Sequence, residues 1–199
     1  MNPAIVTLLN KEISQHRVLF LWLGAFALVT TLLLVFAMER LGAITSYLSI
    51  ASLFTEPVLV VIAVILGQQL IVKEYYGRSQ RFIEALPVAR GQMEWVKFGV
   101  GYAVLLAIAL AVWAWCVSLA SQHEHVSGSF AALMATRICV YVFALWCIVY
   151  TFSFLGRLRI GFAGASLLAV YMLDAYTPLE VGRFGPLALM DPDLFASER

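Results

Sequence analysis

Few side chains in this sequence are equipped for chemistry, and their spacing decides what each could do. His123 and His125 flank Glu124 in a short polar stretch, so both imidazoles could reach one metal ion only with further ligands from elsewhere. No other His or Cys falls nearby, and a solvated loop is the reading carried forward. His16, next to Arg17, reads as a polar residue at headgroup level rather than a proton carrier. Cys116, Cys139 and Cys147 are odd in number and sit in apolar runs, which suits small buried residues and not a disulfide framework. Glu56 and Arg137 stand within or at the edge of apolar runs, where an ionisable group costs on the order of 3 kcal/mol unless paired or hydrated. They could pair with each other or line a translocation pathway; the plainer reading is a structural ion pair, or snorkelling toward the headgroups.

Catalytic signatures are missing. There is no G-x-x-x-x-G-K-[ST] phosphate loop, so ATP hydrolysis by the usual route would need a separate subunit. G-x-S-x-G, H-E-x-x-H and C-x-x-C are absent too. The expectation is therefore a protein that is not an enzyme and holds no cofactor of its own. Nucleic acid is excluded as a partner by the lack of a basic stripe with interleaved aromatics.

The elements that carry these residues are set by hydropathy. Of 199 residues 62% are hydrophobic and 13% charged, with a mean hydropathy of +0.90, more apolar surface than one soluble core can hide. The chain reads as one all-α, multi-pass membrane domain over 1–199, a polytopic transmembrane helix bundle. Val18 to Met38 is uncharged and, at roughly 1.5 Å per residue, about 30 Å long, the thickness of the hydrocarbon layer. Its length, the lack of a small-x-small cleavage site and the Glu39-Arg40 that follows favour a span over a signal peptide. Further spans are predicted over 50–72, 98–120, 130–155 and 160–176, five in all. Trp22, Trp95, Trp113, Trp115 and Trp146 suit interfacial belts and helix packing.

Lys and Arg set the orientation. With the N-terminus inside, the inner segments hold Lys11, Arg17, Lys73, Arg78, Arg81, Arg90, Lys97, Arg157 and Arg159, and the outer ones only Arg40, Arg183 and Arg199. Asn2-Pro3 is a helix start, and Ile5, Leu8, Leu9 and Ile13 recur at helical spacing, so residues 2–16 are predicted to lie as an amphipathic helix in the inner interface.

Between the second and third runs lies a charged island, residues 73–97, KEYYGRSQRFIEALPVARGQMEWVK. Gly77 can end one helix and Ser79 can cap the next, with Phe82, Ile83 and Leu86 on one face before Pro87 stops it. A short amphipathic helix tethered by two spans suits docking of a partner protein.

Glu74, Gly77, Ser79, Phe82, Leu86-Pro87, Arg90 and Lys97 resemble the segment between the second and third spans of type 2 (exporter-type) ATP-binding cassette (ABC) permeases. That family's text has an acidic residue, Gly-Thr, a second acidic residue, apolar positions, then Leu-Pro-Val-Ser-Arg and a Lys. Here Gly77 sits one residue early, Arg78 stands at the family's Gly and Arg81 at its second acidic residue. The resemblance implies a permease subunit of an ABC exporter in a bacterial inner (plasma) membrane, with a cytoplasmic N-terminus. It further implies an ABC ATPase subunit, carrying ATP and Mg, docked on Glu74, Gly77, Ser79, Phe82, Ile83, Leu86, Pro87 and Arg90, and a second permease half, identical or paralogous, within membrane lipid. Drugs, lipids, polysaccharides, peptides and ions are all family substrates. A non-transporting membrane scaffold or assembly subunit is the alternative from another class. Type 2 permeases usually have six spans. Residues 177–199 hold only Pro186 to Met190 as an apolar run, so the sequence is expected to lack the sixth span and to end as an outer tail.

Overall fold

Apolar runs of this length must close their backbone hydrogen bonds internally wherever water is excluded, which selects helices. The computed structural model describes residues 3–41, 47–55, 57–73, 90–123 and 126–154, and its regular elements are all helical. Helix α1 is Pro3–Leu41, α2 Tyr47–Thr55, and α3 Pro57–Gly67, continued by a π-helical turn Gln68–Val72; α4 is Arg90–His123 and α5 Gly128–Ser153. Three of these, α1, α4 and α5, are long and apolar enough to cross a bilayer, which makes this a multi-pass membrane protein; Pro57–Val72 is a shorter apolar helix.

Side-chain contacts fix the directions of the helices. His16 on α1 feels the charges of Lys73, just past the π turn, and of Lys97 on α4, so those three points share one end of the bundle. At the other end the ring of Tyr47, which opens α2, stacks on His123, the last residue of α4, with centroids 5.0 Å apart. The Trp113 indole donates to the Ala131 carbonyl at 3.2 Å near that end. Near the first end the Trp146 indole donates to the Phe98 carbonyl at 2.9 Å, and the Tyr150 hydroxyl to the Glu94 carbonyl at 3.0 Å. Successive passes therefore run antiparallel, with α4 packed against α1, α2, α3 and α5.

The core lies along α4. Leu105, Ala109, Val112, Trp113 and Cys116 from α4 meet Leu59, Ile62 and Leu66 from α3 and Ile138, Tyr141, Val142 and Trp146 from α5. Gly101 allows the closest approach. A Cβ built there would lie on the buried Trp146 ring, so the lack of a side chain is what lets α4 and α5 meet at this level. Hydroxyls on the long helices turn inward on their own backbone: Thr30, Thr31, Thr136, Thr151 and Ser153 each donate to the carbonyl four residues earlier, at 2.8 to 2.9 Å. That arrangement satisfies them without water.

Two expectations change. The helix predicted to lie in the interface over 2–16 is instead the first four turns of α1, which continues unbroken for 39 residues, roughly 58 Å. No Gly or Pro interrupts Ser14 to Val18, and Leu8 packs against Met93, Val96 and Val100 of α4, with Ile5 and Leu9 beside them. An apolar face with a protein partner needs no bilayer surface; Ile13, predicted on that face, is exposed. The second pass, predicted as one span over 50–72, begins earlier and is built in pieces, α2 and then α3 with its π turn. Pro57 cannot donate to a preceding turn and opens α3 as its first residue. The fourth run, predicted over 130–155, is helical over Gly128–Ser153. The fifth run, 160–176, and the tail 177–199 lie outside the described residues.

Candidate functional site

Most of the predicted docking residues, Glu74, Gly77, Ser79, Phe82, Ile83, Leu86 and Pro87, lie outside the described residues. The structure describes what brackets them. Lys73 ends the second pass, and Arg90 is the first residue of α4. The stretch 90–97, predicted as part of the loop, is instead the first two turns of α4, because Met93 and Val96 are buried against Leu8 and extend the helix below the apolar run. The segment between the helices thus narrows to 74–89.

Of the two charges predicted within or beside apolar runs, Glu56 also lies outside the described residues. Arg137 is on α5, between the buried Met134 and Ile138, and is itself half-buried. Its Nη1 is buried and makes no hydrogen bond. A buried guanidinium donor left without an acceptor is costly.

A second polar group sits at the end that holds the chain's N-terminal helix start. Leu8, Glu12 and His16 occupy successive turns of one α1 face, and all three are buried, Glu12 at 2% exposure and His16 at 9%. Glu12 Oε2 and His16 Nε2 stand 3.8 Å apart, too far for a hydrogen bond, and neither atom has another partner. The His16 ring tilts against Phe20 with centroids at 6.2 Å. Lys97 reaches the group from α4. These residues lie outside the runs 18–38 and 98–120. Burial pushes the His16 pKa below its ordinary 6.5; the Glu12 carboxylate opposes this, and Lys97 and Lys73 add to it. Burial likewise lowers the Lys97 amine, opposed by Glu12 and aided by Lys11.

Sequence reading placed His16 at headgroup level and passed over Glu12. The signal that could have found both is the i, i+4 continuation of the Leu8 stripe, which puts Glu12 and His16 on the face that Leu8 buries. His123 closes α4 under Tyr47, and His125 lies outside the described residues. Among the described residues no three His, Cys, Asp or Glu side chains gather as metal ligands, and the three cysteines are free. Trp22 and Trp95 are exposed, whereas Trp113 and Trp146 are core residues that donate to backbone across helix pairs.

No protein-family model, curated protein or solved structure matches this chain.

Proposed function

We propose that the protein is the membrane-spanning permease subunit of an ABC exporter, crossing the membrane five times with its N-terminus inside, and that segment 74–89 is its coupling element. The observation that carries this reading is the placement of the segment's two ends. Lys73 and the start of α4 lie at one end of the bundle, beside the N-terminal turns of α1, where Lys and Arg are concentrated. A short helix held there by two packed passes can transmit a push from a docked ATPase to α3 and α4 together. The ATPase would bind ATP and Mg, and this chain would contribute no catalysis; a second half, identical or paralogous, would complete the pathway. Arg137, with its unfilled donor, is the pathway residue the reading favours.

The test is co-purification of the full chain with a candidate ABC ATPase. Phe82→Asp and Leu86→Asp should abolish the complex while membrane insertion is kept, because either substitution puts a charge into a packed apolar contact. Binding that survives both substitutions would remove the docking assignment. Impermeant thiol labelling of Ser79→Cys and Ser127→Cys in a background lacking native cysteines should report opposite sides of the membrane.

A further inference from the structure

We propose that Arg137 binds an oxyanionic group of the molecule this chain moves, near the middle of the membrane. The inference rests on the permease reading and names its substrate class. It starts from depth. Three side chains tie α5 to α4 in one antiparallel register: Trp113 donates to the Ala131 carbonyl, Trp146 to that of Phe98 and Tyr150 to that of Glu94. The same register sets Arg137 level with Ala107. Ala107 lies about 14 Å from Phe98 and about 20 Å from Ala120, the ends of the apolar run, at roughly 1.5 Å per residue. Neither edge is within reach of an arginine side chain, so the snorkelling that the sequence allowed is closed to it.

The face of the helix comes next. One turn to either side, Met134 and Tyr141 mark the buried edge of α5, and Leu133 and Val140, exposed at 52% and 51%, mark its outer edge. Arg137 is half-buried at the border between the two, with Nη1 buried and without a hydrogen-bond partner. At this depth the outer surface of a helix meets lipid tails, a second protomer or a polar pathway. A guanidinium stays charged at any physiological pH, and only the last two surroundings spare it the hydrocarbon. This border of α5 therefore belongs to the side on which a second half completes the pathway. There the planar fork of donors fits carboxylate or phosphate oxygens two at a time. An oxyanion passing this level gains contacts that a neutral or cationic molecule lacks.

The experiment follows thermal unfolding of the full chain in a neutral maltoside detergent, with and without dodecyl phosphate. At roughly a hundredfold excess over its half-saturating concentration, this amphiphile should raise the melting temperature by roughly 5–10 °C. Dodecanol and dodecyltrimethylammonium should not. The rise should be lost in Arg137→Met and in Arg137→Gln and kept in part in Arg137→Lys. Inorganic phosphate tells the source: an equal rise means that the oxyanion enters from water, and a rise with the amphiphile alone means that it enters from the bilayer. An unaltered chain indifferent to both phosphates, or a rise that survives Arg137→Met and Arg137→Gln, would overturn the proposal. So would a rise that appears only in Glu56→Gln, because Arg137 would then be neutralised by a carboxylate of this chain. No ATPase takes part in the assay. Failure here with co-purification intact strikes the substrate class alone, and loss of co-purification with binding intact strikes the docking assignment alone.

Discussion

Gly101→Ala is the most direct probe of how α4 and α5 meet. A methyl at this position would lie against the six-membered ring of Trp146, 2.6 Å from Cη2 and closer still to Cζ2. Trp146 cannot swing away cheaply. It is fully buried, among the largest side chains of the core, and its Nε1 is tied to the Phe98 carbonyl at 2.9 Å. Overpacking of this kind costs about 1–3 kcal/mol, and displacing the indole sacrifices a hydrogen bond worth about 1 kcal/mol. Against this, Ala is the better helix former by about 1 kcal/mol. The net expectation is a loss of about 1–3 kcal/mol. Gly99→Ala is the internal control two residues earlier, where nothing lies within 4 Å of the added Cβ, so only the propensity gain of up to about 1 kcal/mol remains. Thermal unfolding of the purified chain in detergent, followed by size-exclusion fluorescence, should place Gly101→Ala below the unaltered protein and Gly99→Ala level with or above it. Gly101→Ala combined with Trp146→Phe should recover part of the loss, since the smaller ring vacates the space. Equal stability of the two alanine variants would show that α4 and α5 do not pack at this register.

Three further outcomes are expected. Gly67→Ala should destabilise the chain, because the new Cβ would stand 2.6 Å from Ser153 Oγ and 3.0 Å from Val149 Cγ1, and Ser153→Ala should restore part of the stability in the same unfolding assay. Arg137→Met should leave stability unchanged or raised, since it removes an unfilled buried donor; a fall of more than about 2 kcal/mol would mean that the guanidinium supports the fold. The contribution of His16 to stability should be present above the unfolded-chain value of 6.5 and lost as the pH falls through its lower folded value, because the unfolded state binds the proton more tightly. The fall in melting temperature between pH 7.5 and pH 5 should accordingly be smaller in His16→Gln than in the unaltered chain.

What sequence could foretell here follows from which forces act locally. The long passes were legible because hydropathy over about 20 residues is fixed by the bilayer and not by neighbours. The predicted runs 18–38, 98–120 and 130–155 fall within or almost within α1, α4 and α5. Where each helix ends was not legible, since that depends on what lies beyond the apolar run. Residues 3–17 and 90–97 each look like an interfacial or loop segment alone, polar enough to face water. Brought side by side they bury Leu8, Met93, Val96 and Val100 together and extend two helices in register below the membrane-crossing runs. The same pairing carries Glu12 and His16 into the seam, so their burial is a property of the pair of helices and is written in neither segment.

That extension bears on any coupling through segment 74–89. The π turn at Gln68–Val72 is closed by the Lys73 N–H donating to the Gln68 carbonyl, a wider ring than the α-helix uses. Such a turn departs from the α-helical pairing of Pro57–Gly67 and is the last regular turn described before the segment. The first turns of α4 have no such device. They are locked by Met93 and Val96 to α1, and by the Tyr150 hydroxyl on the Glu94 carbonyl to α5. A displacement applied at the Arg90 side of 74–89 would thus be carried by α4 together with α1 and α5.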